Sequence, residues 1–94
     1  MAAIVVANYE VTNPEAFEPY AAAAIQTLQA HGAEVIAVDQ NCEVVEGNAK
    51  PVTVILKFAS REAMKAWYDS PEYQAVIGLR TDNSEGSMVV LETP

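Results

Sequence analysis

The chain has 94 residues, 51% of them hydrophobic, with 13 acidic and five basic side chains for a net charge of −8. That length holds one domain, residues 1–94, with a modest core, and the apolar content suits a folded chain. The acidity argues against nucleic acid or an anionic membrane surface as partner, because Lys50, Lys57, Arg61, Lys65 and Arg80 are scattered among acids; no apolar run approaches the roughly 20 residues of a membrane span.

The first residues, MAAIVVANYE, lack a basic stretch ahead of the apolar ones. They predict no secretory leader and a cytoplasmic protein. From Ala3 to Val11 the chain alternates. Val5, Ala7, Tyr9 and Val11 share one face of a strand, and Ile4, Val6, Asn8 and Glu10 the other.

TNPEAF follows. Asn13 is placed to cap a helix that opens with Pro14, whose missing N–H would be unpaired there anyway. Thr12 with Glu15 offers a competing capping register. Phe17, Tyr20, Ala21, Ala24 and Leu28 form one stripe at helical spacing, with Ile25 at its edge, so a single helix is expected from Pro14 to His31. Gly32 supplies a left-handed C-cap.

Ala33–Asp39 reads as a second strand. Asp39, Gln40 and Asn41 interrupt it, and an extended pattern resumes over Cys42–Glu46, as though the strand were bulged or bent there. Gly47, Asn48, Lys50 and Pro51 mark a turn. Val52–Ala59 is the third strand, with Val52, Val54, Leu56 and Phe58 facing away from Thr53, Ile55 and Lys57. Ser60 caps a helix that runs to Tyr68. SPEYQAVIGLR forms a further short helix, capped by Ser70 with Pro71 at its first position. Asp82–Gly86 reads as loop and Ser87–Thr93 as the last strand.

The order β-α-β-β-α-β is that of a ferredoxin-like α+β fold. Its four-stranded antiparallel sheet carries helices on one face, the second helical region divided in two. The other face would then expose Ile4, Val6, Ile55, Ile36 and Val38. A patch above about 400 Å² is uncommon on a monomer, so two sheets are expected to pack face to face in a homodimer.

ANYEVTNPEAFEPY, the His31–Gly32 turn, EVVEG from Glu43 to Gly47, and KFASREAMKAWYDSPEYQAV together resemble the bacterial family called domain of unknown function thirteen-thirty, in the dimeric α/β-barrel superfamily. The resemblance runs from about residue 3 to 92 and is most specific in WYDSPEYQ preceded by KF-x-S-x-E-A. It implies a ferredoxin-like dimer and brings no agreed reaction. Ala33 stands where members often carry glycine, and Leu91-Glu92-Thr93 where they often end in valine-glutamate-glycine. Superfamily relatives include cofactor-free monooxygenases, lactone isomerases and haem-dependent enzymes, with sites between sheet and helices.

Residues with chemistry are few. His31 is the only histidine, the side chain whose ordinary pKa lies near neutrality; it is a candidate general base, or simply a helix C-terminal group facing the last carbonyls. Arg80 follows Tyr73, Val76 and Ile77 at helical spacing and could bind a carboxylate, or close the helix C-terminus, or pair with Asp82. Asn8, Glu10 and Lys57 are expected near one another on the face away from the helices, as a polar rim. Tyr9, Tyr20, Phe17 and Trp67 point into the layer between sheet and helices. As a candidate ligand site, Tyr9, Tyr20, His31, Trp67, Tyr73 and Arg80 would suit a small apolar or aromatic molecule; as the blander reading, the aromatics are core. Gly32, Gly47, Gly78 and Gly86 are isolated, and no phosphate loop, haem or flavin motif or metal-ligand cluster is present, so no cofactor is expected. Cys42, the single cysteine, reads as a small packing residue. Two functions remain open: a small-ligand-binding or cofactor-free enzymatic domain, and a non-catalytic dimeric module.

Overall fold

A computed structural model describes all of residues 1–94. Its elements are β1 (Ala3–Val11), α1 (Pro14–Phe17), α2 (Tyr20–Ala30), β2 (Glu34–Asp39), β3 (Val52–Phe58), α3 (Arg61–Tyr68), α4 (Pro71–Gln74), α5 (Ile77–Thr81) and β4 (Ser84–Glu92). The strands form one antiparallel sheet in the order β2-β3-β1-β4, which is the ferredoxin-like arrangement. No helix is long and apolar enough to cross a membrane.

Alternation along β1 places Ala3, Val5, Ala7 and Tyr9 on the buried face. Leu56 and Phe58 of β3 join them from the same side. Ala24 and Leu28 of α2, Trp67 of α3 and Tyr73 of α4 close the core from above. Its centre is aromatic: the Trp67 ring lies 5.4 Å from Phe58 and 4.1 Å from Tyr73, centroid to centroid.

The helix caps follow the expected grammar. Asn13 Oδ1 accepts from the Ala16 amide, Ser60 Oγ from Ala63 and Ser70 Oγ from Tyr73. Gly32 ends α2 at φ +67°, where the Ala33 amide bonds back to the Leu28 carbonyl at 3.0 Å.

Several expectations are corrected. The helix foreseen from Pro14 to His31 is two, because Pro19 has no N–H to donate and its ring crowds the carbonyl four residues back. SPEYQAVIGLR likewise divides into α4 and α5, the turn between them closed by the Val76 amide on the Tyr73 carbonyl. The bulge lies at Ile36 rather than at residues 39–41: Val35 pairs with Leu56, yet Ala37 pairs with Ile55. Paired residues share a face, so the extra residue turns Val38, opposite Val54, to the helix side, and Ala37 and Asp39 take the open face. Cys42–Glu46 forms no strand; the Cys42 amide and thiol instead bond the Pro51 and Lys50 carbonyls, folding the segment back.

β4 starts at Ser84, inside the expected loop, because the β1 ladder extends to Val11 opposite Ser84. Gly86, opposite Tyr9, makes this pairing possible: a Cβ there would run into the Asn8 carbonyl and sit 2.5 Å from Tyr9 Cα. Lys57 faces Ile4 and Glu34, not Asn8 or Glu10. Asn8 instead donates to the Lys50 and Val52 carbonyls and to Thr53 Oγ1, and accepts from the Lys50 amide at 2.8 Å. Glu10 lies 3.6 Å from Lys50 Nζ.

Candidate functional site

The six residues singled out from the sequence divide into three groups. Trp67, 1% exposed, belongs to the core. Its indole N–H donates to Thr27 Oγ1 at 3.0 Å, and that hydroxyl donates onward to the Ala24 carbonyl, so two buried polar groups of α2 and α3 satisfy each other. His31 is half-buried at the C-terminal end of α2, with Nε2 4.0 Å from Glu72 Oε2. Tyr20 opens the same helix, so at 1.5 Å per residue the two are roughly 16 Å apart along it.

Tyr9, Tyr20, Tyr73 and Arg80 do come together. Pro71 and the Ser70 cap aim Tyr73 inward from α4, where it has no exposed surface. Its hydroxyl lies 2.7 Å from that of Tyr20. From α5, Arg80 Nε donates to the Tyr73 hydroxyl at 3.4 Å. Phe17 links Tyr20 to Tyr9, with ring centroids 5.4 and 5.7 Å away. The result is an aromatic wall carrying phenol hydroxyls and one half-buried guanidinium.

The electrostatics of this cluster are lopsided. Burial raises the Tyr20 phenol far above its ordinary value, with the Tyr73 phenol adding to the effect and Arg80 only partly opposing it. Burial also raises Tyr9. Burial works to lower Arg80, but its hydrogen bond and attraction to the Tyr73 and Tyr20 phenol groups outweigh that and raise it. The Tyr20 and Tyr9 phenols therefore stay neutral and Arg80 stays cationic at physiological pH. The three ion pairs of the molecule are His31–Glu72, Lys50–Glu10 and Arg61–Glu92; none involves Arg80. A partly desolvated cation among neutral donors favours an anion. The cluster contains no free carboxylate or imidazole to serve as base.

Two concavities lie elsewhere. One, about 470 Å³, is on the open sheet face beneath the 42–49 segment and is lined by Ala37, Cys42, Val44, Val45 and Ile55 among others. The other, about 460 Å³, lies between α3 and β4. It is bordered by Arg61, Glu62, Met64, Lys65, Tyr68, Asp69, Met88 and Val90, none of them foreseen as site residues. The spacing i, i+3, i+4, i+7 on α3 was the available signal; the β4 floor depends on a long-range register.

No curated protein matches the chain in sequence. Among solved structures it is similar to RPA0582, a protein of unknown function from Rhodopseudomonas palustris, with a TM-score of 0.81 and 13% identity over 99% of this chain and 82% of that one. SnoaB, a cofactor-independent oxygenase from Streptomyces nogalater, matches with a TM-score of 0.72 and 13% identity over 99% and 93%. The de novo designed protein Foldit4 matches with a TM-score of 0.67 and 14% identity over the whole of both chains. At such identities these likenesses speak for the fold and carry no chemistry. The family model described as Domain of unknown function (DUF1330) matches residues 2–94, and the chain belongs to that family.

Proposed function

We propose that this protein binds a small aromatic or apolar molecule bearing a negative charge, at the cluster of Tyr9, Phe17, Tyr20, Tyr73 and Arg80. The observation that carries the reading is the half-buried Arg80 guanidinium, held by a phenol and paired with no carboxylate in a chain of 13 acids. Arginine suits a planar carboxylate or enolate because its forked N–H donors match two oxygens at once. The hydroxyls of Tyr20 and Tyr73 add polar contacts, and the rings of Phe17 and Tyr9 offer a flat apolar surface.

The working unit is a homodimer. On the sheet face opposite the helices, the registers align Ile4, Val6 and Ile55 with Val89 and Leu91, both about half exposed. Glu10, Lys57, Glu34 and Glu85 ring this apolar centre. That pattern, an apolar middle with a charged rim, suits a second copy of the same face.

Oxygenation without a cofactor, the activity of SnoaB, is a chemistry the same cluster could serve by stabilising an enolate; the fold alone supports that extension. Native mass spectrometry of the protein purified from cell extract tests the binding function. A retained small acid in the wild type, absent from Arg80→Met, is the expected result. A wild type that carries nothing and binds no aromatic acid in solution would overturn it.

A further inference from the structure

We infer that the groove between α3 and β4 is a second binding site, for a flexible apolar molecule ending in a carboxylate. The groove lies outside the Tyr20–Tyr73–Arg80 cluster, and its volume of about 460 Å³ falls within the range of small-molecule sites.

Its construction is graded. Met88 and Val90 of β4 lie on the helix side, since they pair with Ala7 and Val5 of the buried face of β1, and they form the floor. On α3, successive residues turn by about 100°. Moving around the helix from the buried Trp67, the order is therefore Met64, Tyr68, Arg61, Lys65, and only then Asp69 and Glu62. The apolar side chains thus stand nearest the floor, the two cations come next, and Glu62 and Asp69, which also line the groove, lie at its outer edge. A guest with its tail on Met64, Met88 and Val90 meets positive charge before negative. The two unbranched thioethers adapt to a flexible chain better than branched side chains would.

One of the cations is already engaged. Arg61 Nε lies 3.1 Å from Glu92 Oε1, tying the start of α3 to the end of β4 and bounding the groove there. Lys65 has no carboxylate within ion-pair distance, although Glu62 and Asp69 share its helix. Lys65 is also exposed, so its ammonium is free to meet a carboxylate head without a large desolvation cost.

Dodecanoate, below its micellar concentration, is the probe, with dodecanol as the uncharged comparison. Isothermal titration calorimetry of the wild type should show saturable dodecanoate binding. Lys65→Glu should weaken it at least tenfold and change dodecanol binding less than twofold. Since Lys65 is exposed, that variant should fold normally, which circular dichroism checks. Val89→Lys, on the opposite face of the same strand, should leave dodecanoate binding intact, and Arg80→Met should leave its Lys65-dependent part unchanged. The inference fails if the wild type does not bind, if Lys65→Glu binds normally, or if binding follows Val89 or Arg80 instead. Loss with Arg80→Met alone would return the guest to the aromatic cluster and overturn only the second site.

Discussion

The hydroxyls of Tyr20 and Tyr73 stand 2.7 Å apart, joining the start of α2 to the short helix α4 across 53 residues of sequence. Arg80 then reaches the Tyr73 oxygen from a third helix. This contact holds three short helical pieces together and presents the guanidinium at their junction. Structure and candidate function meet in the same pair of atoms.

Tyr20→Phe removes one neutral hydrogen bond and should cost about 1 kcal/mol, measured by urea denaturation at pH 7. It should also alter the alkaline limb of stability. The Tyr20 phenol is raised in the folded state from an ordinary value of 10.0, so the folded form holds its proton more tightly than the unfolded chain does. That contribution is complete below pH 10 and is lost as the pH rises above it, because the unfolded phenol ionises first. Between about pH 10 and 11 the wild type should therefore lose stability more steeply than Tyr20→Phe. Parallel slopes would refute the assignment.

Ser70→Ala should cost about 1 kcal/mol. Ser70 Oγ accepts from the Tyr73 amide at 3.2 Å and donates to the Trp67 carbonyl at 2.7 Å. The serine in WYDSPEYQ thus serves as a helix junction. Calorimetric binding of an aromatic acid to the folded variant should match the wild type; loss of binding at unchanged stability would give Ser70 a direct role.

Gly86→Ala should be far more damaging than its size suggests, at about 3 kcal/mol or more. The added methyl would strike backbone atoms of Asn8 and Tyr9, which cannot swing aside as a side chain can. Denaturant midpoints of Gly86→Ala and Ser87→Ala, its exposed neighbour, make the comparison. Equal stability of the two would show that β4 can move away from β1.

Much of this fold is legible from period and punctuation. The alternation of β1 names its buried face, and Asn13-Pro14, Ser60 and Ser70-Pro71 mark three helix starts. Pro19 was equally visible, yet the unbroken apolar stripe around it reads as one helix. The bulge at Ile36 has no local signal, since Val35-Ile36-Ala37-Val38 is apolar throughout and either register satisfies it. Polar Ser84-Glu85-Gly86 looks like loop until β1 supplies a ladder for it. The site divides in the same way. Helical spacing places Arg80 with Tyr73 although α4 and α5 are separate, whereas Tyr20 with Tyr73, and α3 with Met88, are tertiary meetings. Trp67 and His31 show the converse: residue type suggests chemistry where position supplies packing and a helix end.

Val89→Lys and Leu91→Lys place charge in the middle of the open sheet face without touching the core. Sedimentation at micromolar concentration should show the wild type at twice the chain mass and each variant as a folded monomer. A monomeric wild type would refute the face-to-face dimer.

The central claim is that Arg80 binds an anionic group beside the aromatic wall. Calorimetric titration of 1-naphthoate into wild type and Arg80→Met tests it most directly, with 1-naphthylmethanol as the uncharged control. A charge-assisted contact contributes about 1.5–3 kcal/mol, so naphthoate should bind the wild type roughly 10- to 100-fold more tightly than the variant, with the alcohol nearly indifferent to the change. Equal naphthoate affinity for two equally folded proteins, or no binding to either, would contradict the account.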